Sequence, residues 1–236
     1  MYYFQKTKVN PNSKMTHLIE ENSALLLMMQ HFEIDFKVGD LTVSQMCDEN
    51  QIGVELFITV ANLYNGFRPK KVTIFPEQDI LQIIRFLKNS HQYYQFYTYP
   101  QISTYIHYLQ ENHPETELVL LENFFDEYFS EVLEHFDYED NVAFPYFIKL
   151  LQGDKDPETE FYSAKEYSDH HTDIELKLKD LKNLLMKYIS IEGDLIVRRK
   201  LFLELFELEY DLFIHSLIEE TILIPLGQSI EKEKHA

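Results

Sequence analysis

The feature that most constrains this 236-residue chain is a pattern of histidines that returns at fixed intervals. His91 and His135 are 44 residues apart, as are His171 and His215, and each member of the first pair precedes its counterpart by 80. Two of the four carry more. His135-Phe-Asp-Tyr-Glu139 and His215-Ser-Leu-Ile-Glu219 both place an acid four residues after the histidine, and both are followed by a proline ten residues after it, at Pro145 and Pro225. On a helix, positions i and i+4 share one face, so each of these segments offers one imidazole nitrogen and one carboxylate on the same side.

The surrounding residues predict helices. Apolar positions recur at alternating steps of three and four in four segments: Ile80, Ile84, Leu87, His91, Tyr94; then Leu121, Phe125, Tyr128, Val132, His135, Glu139, Val142, Tyr146; then Tyr167, His171, Ile174, Leu178, Leu181, Leu185, Tyr188; and last Leu201, Leu205, Leu208, Leu212, His215, Glu219, Ile222, Leu226. That spacing is the seam of a helix packed in a bundle, and each seam is interrupted by a histidine. Turn formers at 112–115, 153–157 and 190–194 give short connections, so the expected fold is all-α, an up-and-down four-helix bundle over residues 71–236. Pro100 should kink the first stretch. The cluster Asn65-Gly66-Phe67-Arg68-Pro69-Lys70-Lys71 predicts a boundary. Residues 1–70 before it read as a small helical accessory domain, with helices over 16–32, 42–49 and 54–64 and a Gly-containing turn over 34–40.

Charge narrows the function. With 21 Lys plus Arg against 40 Asp plus Glu, the net charge of -19 repels phosphate backbones and anionic headgroups. Neither nucleic acid nor a membrane surface is an expected partner. The lone Cys47 allows no intramolecular disulfide, the opening residues lack the apolar stretch of a secretory signal, and the run 24–29 is too short to span a bilayer. The expected location is cytoplasmic.

A single seam histidine is ordinarily a satisfied core or rim residue. Four at matched positions, two with glutamate at i+4, point instead to metal, because two unpaired carboxylates in an apolar seam would cost several kcal/mol. His91, His135, Glu139, His171, His215 and Glu219 form a set suited to two first-row metal ions, each taking two imidazoles, with the glutamates free to bridge. Hard carboxylate with borderline imidazole favours two iron ions, with room for an oxo or hydroxo bridge, over manganese or zinc. His171 aligns with Ile174 and Leu178, whereas its neighbour His170 aligns with polar Glu166 and Asp173. His170, His113 and Tyr94 are candidates for groups that steady the ligands. Asp140 and Glu220, rotated one residue off the seam, can at most support them. His17, His31, His107 and His235 are expected at the surface, and Cys47 as a small buried residue.

The motif His-x3-Glu-(Asp/Glu)-x4-Pro on two helices, with histidine partners in His91-Gln-Tyr-Tyr and His170-His171, resembles the hemerythrin-like HHE cation-binding domain. It is most similar to the repair-of-iron-centres di-iron proteins. The resemblance implies the same six ligands and matches His113, in Asn-His-Pro-Glu, to a further family histidine. Ile34-Asp35-Phe36, Gly39, Leu41-Thr42 and Cys47 resemble that family's leading domain, except that Lys37-Val38 stands where adjacent cysteines are usual. The resemblance implies a di-iron protein of nitrosative and oxidative stress that supports repair of iron-sulfur proteins by iron donation or nitric oxide handling. Two other functions need the same ligands: a sensor or carrier of dioxygen or nitric oxide, and a di-iron oxidoreductase.

Overall fold

The computed structural model describes residues 6–69, 73, 75–113, 116–153, 162–170 and 174–234. Among them there is no strand beyond an isolated bridge between Lys14 and Thr42. The helices in chain order are α1 (Met15–Glu21), α2 (Leu25–His31), α3 (Val43–Asn50), α4 (Val54–Tyr64), α5 (Glu77–Tyr93), α6 (Tyr99–Asn112), α7 (Thr116–Tyr138), α8 (Phe144–Leu151), α9 (Ala164–His170), α10 (Ile174–Lys187), α11 (Leu195–Ile218) and α12 (Ile224–Lys234). No helix among the described residues is long and apolar enough to cross a membrane. The chain divides into two compact units, one of residues 1–89, 146–168 and 214–236, the other of residues 90–145 and 169–213.

In the first unit, the single helix expected over 16–32 is two. Asn22 leaves the helical conformation, and its buried side chain donates to the Tyr64 carbonyl and to Asn65 Oδ1, both at 2.9 Å. An asparagine that can satisfy a distant helix end competes with helix continuation. Helix α3 starts at a capping box in which Thr42 and Gln45 each bond the other's backbone N–H. Helix α4 has the bounds its apolar pattern predicts. It begins after Gly53, where an added Cβ would lie 2.4 Å from the carboxylate oxygens of buried Asp79, so only glycine permits that approach. His31 corrects an expectation: it is buried, with its ring edge-on to Phe86 at 5.2 Å, whereas His17 and His107 are exposed as expected. His235 lies outside the described residues.

The second unit is held by one buried cluster drawn from four helical stretches. It includes Ile102, Ile106 and Leu109 of α6, Leu121, Phe125 and Val132 of α7, Leu178, Leu181 and Leu185 of α10, and Leu201, Leu205 and Leu208 of α11. Each fully buried aliphatic side chain contributes about 1.5–3 kcal/mol, and these positions follow the three-four spacing. Tyr188, placed on the third seam, is instead exposed, because α10 ends one residue earlier.

Cys47 is fully buried in the first unit, and burial, with Asp48 adding, pushes its thiol up to about 12. The thiol therefore stays protonated at pH 8.5. We expect iodoacetamide to leave the folded protein unmodified over an hour at that pH and to alkylate it fully in denaturant; rapid alkylation of the folded chain would contradict this burial. A raised folded pKa also means that stability falls as pH climbs above the unfolded thiol's value and continues to fall toward 12.

Candidate metal centre

Among the described residues, the helices lose their regular pattern at three equivalent places. Tyr94–Thr98, Glu139–Ala143 and Glu219–Leu223 are π-helical. Each ends two residues before a proline, at Pro100, Pro145 and Pro225, and in each the residue preceding the proline donates its N–H to the carbonyl five residues back: Tyr99 to Tyr94, Phe144 to Glu139, Ile224 to Glu219. The cause is local. A proline inside a helix has no N–H to give, and its ring strikes the carbonyl four residues earlier. Widening one turn lets a fresh helix begin with the proline in its first turn, where the missing donor costs nothing.

That extra residue shifts the register of the turn it opens. Beyond Glu139 the buried positions are Ala143, Phe144, Phe147 and Leu150 together with Tyr146 of the expected seam, while Val142, placed on the seam by strict three-four spacing, is 43% exposed. Beyond Glu219 they include Leu223 and Ile224 together with Ile222 of the expected seam, and Leu226 is only half-buried. Single π turns of this kind are concentrated at functional sites, and here two of them open on the glutamates that the sequence singles out.

In the second unit, Glu139 is fully buried and lies between two histidines. His91 Nε2 stands 3.2 Å from its Oε2, and His135 Nε2 3.1 Å from its Oε1. The His91 ring is stacked on Phe136, centroids 4.1 Å apart, and nearly parallel to Phe144 at 5.7 Å. Its other nitrogen, Nδ1, is 3.3 Å from Asp140 Oδ1. With a carboxylate beside Nδ1, the tautomer protonated there would leave the Nε2 lone pair facing Glu139, which is how metal-binding histidines are oriented. Asp140 thus fills the supporting role that its off-seam position allows.

A few residues along α6's approach, Tyr94 donates to Asp211 Oδ2 at 2.8 Å, and both are buried. Burial, then the charge of Asp211, holds the Tyr94 phenol well above its ordinary range, so it remains a donor. In the first unit, His215 Nε2 is 3.2 Å from Glu219 Oε1, and the Tyr167 hydroxyl donates to the same oxygen at 2.5 Å. His215, Glu219 and Tyr167 are all buried.

His91 and Glu139 in the second unit, and His215 in the first, each offer a buried donor atom that could hold a metal ion. Ligands that share an ion at about 2.0–2.2 Å stand roughly 3–4 Å apart, and the histidine–glutamate pairs within each unit, at 3.1–3.2 Å, already stand at that separation. Imidazole nitrogen and carboxylate oxygen suit zinc, iron or manganese, and no thiol belongs to the group. No protein-family model, curated protein or solved structure matches the chain.

Of the residues expected at the site, His91 and His135 both stand beside Glu139 in the second unit, and His215 pairs with Glu219 in the first. His171 and the side chain of His170 lie outside the described residues. His113 is elsewhere: it follows the end of α6, roughly 30 Å along the helical path from His91, and its Nε2 pairs with Asp194 at 2.8 Å. Sequence reasoning passed over Asp211 and the hydroxyl of Tyr167. Asp211 had a readable signal, since Asp211, His215 and Glu219 fall on one four-residue spacing, but the neighbouring Leu208 and Leu212 drew the seam beside it. Tyr167 presents in the sequence only as an apolar seam residue.

The geometry separates the acids. Glu139→Gln should lower affinity for a divalent first-row metal by at least about 100-fold, Asp140→Asn by about 10–100-fold through loosened orientation of His91, and Glu220→Gln, which is exposed, by less than about twofold. Competition with a calibrated chelator measures all three. Equal losses at Glu139 and Glu220 would show that the buried face is not the binding face.

Proposed function

We propose that the chain is a hemerythrin-like di-iron protein, with the stretches containing α5–α6, α7–α8, α9–α10 and α11–α12 as the four helices of an up-and-down bundle. In this reading Glu139, Glu219, His91, His135, His215 and His171 would hold two iron ions. The observation that carries it is the repeated buried unit: histidine, glutamate one turn later at the mouth of a π turn, and proline six residues beyond the glutamate. Two glutamates offset half of the charge of two ferrous ions, leaving a positive centre inside a protein of net charge -19. Bound iron would supply reversible redox change and affinity for a diatomic ligand.

The chain's own residues do the rest. Phe136 and Phe144 fix the plane of His91 and, with the buried Tyr94, keep bulk water from it. Asp140, Tyr167 and Asp211 supply carboxylate and phenol partners that orient ligands and neighbouring donors.

The role that follows is iron handling under nitrosative or oxidative stress, supporting iron-sulfur protein repair by donating iron or capturing nitric oxide. A dithiol does not enter it. Lys37 and Val38 stand at the position of the family's cysteine pair; the backbone N–H of Lys37 is turned onto Asp35 Oδ1 at 2.7 Å, and Val38 is buried. Transfer would run through the metal centre alone. A second reading, a dioxygen or nitric oxide sensor, is favoured by the burial of His91, Glu139, His215 and Glu219, since a diatomic reaches a closed site more readily than an acceptor protein does.

Anaerobically purified protein should carry about two iron ions per chain, and a ferrous chelator should strip the reduced protein within minutes. Iron retained for hours in both oxidation states, with reversible spectral change on adding nitric oxide, would replace the donor reading by the sensor. One zinc per chain, indifferent to His135→Ala, would end both.

A further inference from the structure

Helix α11 carries two apolar stripes. One, through Leu201, Leu205, Leu208 and Leu212, is buried. The other runs Ile196, Leu203, Phe206, Tyr210 and Phe213, and Arg199 completes its three-four spacing between Ile196 and Leu203. Ile196 is 67% exposed, Leu203 57%, Phe206 46% and Phe213 44%. A solvent-facing stripe is normally polar; one with coiled-coil spacing is the surface of a helix that meets another helix. Charge is divided along the same stretch: Arg198, Arg199 and Lys200 lie toward its start, Glu207 and Glu209 beyond the midpoint between Leu203 and Phe206.

We propose that this stripe is a self-association surface, on which a second copy of the chain lays its own α11 antiparallel about a twofold axis between Leu203 and Phe206. In that register Leu203 meets the partner's Phe206, Ile196 meets the partner's Phe213, and Arg199 covers the partner's Tyr210. Lys200 and Glu207 occupy the same flanking position one heptad apart, so each Lys200 faces the partner's Glu207 across the axis.

The direction follows from charge. A parallel pair would set the basic thirds against each other and the acidic parts likewise, whereas the antiparallel pair sets basic against acidic twice, as a twofold interface requires. Glu207 has cause to accept a cation: burial and the nearby Asp211 raise its carboxyl above the ordinary range. The Lys182 Nζ lies over one face of the Phe206 ring, 4.2 Å from its centroid, and the ring remains 46% exposed.

Sedimentation equilibrium of the full chain tests this. The wild type should sediment at twice the 28.3 kDa chain mass at micromolar concentration, and Leu203→Glu with Phe206→Glu should sediment at the chain mass with unchanged helical circular dichroism. Lys200→Glu should raise the dissociation constant about tenfold or more, and adding Glu207→Lys should restore it. If the apolar variant loses helicity, the charge pair alone decides. A wild type that stays monomeric to about 100 µM, a dimer that survives the double glutamate variant while folded, or a charge-reversed pair no tighter than Lys200→Glu alone would each overturn the proposal.

Discussion

Everything in this account depends on two carboxylates placed where water cannot reach them. Glu139 and Glu219 are fully buried, and each has a histidine nitrogen 3.1–3.2 Å away, one turn earlier on its own helix. A buried carboxylate is tolerated only with a compensating charge or a full complement of hydrogen bonds. Imidazoles and Tyr167 supply part of this, a bound cation would complete it, and the neighbouring aromatic side chains keep His91 covered. An apolar seam would be simpler and no less stable without the two acids, so their presence argues for a use beyond folding.

The prolines give that burial its geometry. A regular α-helix through Glu139 would carry Val142 on the same face; the π turn before Pro145 puts Ala143 and Phe144 there instead, and Phe144 comes alongside the His91 ring. The same device precedes Pro225 and Pro100. One residue type therefore sets both where a ligand helix restarts and which side chains border the glutamate, and it does so through steric exclusion rather than through any contact of its own with the site.

Much of this was legible before any coordinates. The first seam, Ile80 through Tyr94, is buried at every position named, and the pairing of His135 with Glu139 and of His215 with Glu219 follows from the period of a helix. What escaped was whatever departs from that period or arises between distant segments. Proline spacing signals an interruption but not whether it is resolved by a kink or by a wider turn, so strict three-four spacing puts Val142 on the wrong side. Asn22 splits the first helix because of a partner 42 residues away, and His31 is buried by Phe86 for the same kind of reason. Asp211 and Tyr167 have roles only through Tyr94 and Glu219, partners that no spacing within their own helix reveals.

The central claim is that the repeated histidine-glutamate units serve one buried pair of iron ions. Anomalous diffraction from crystals grown with ferrous iron, collected on both sides of the iron absorption edge, tests it most directly. The account predicts two peaks about 3.5–4 Å apart, one or both within bonding distance of His91, Glu139 and His215. A single peak at a surface carboxylate, or none within reach of Glu139 and Glu219, would contradict it.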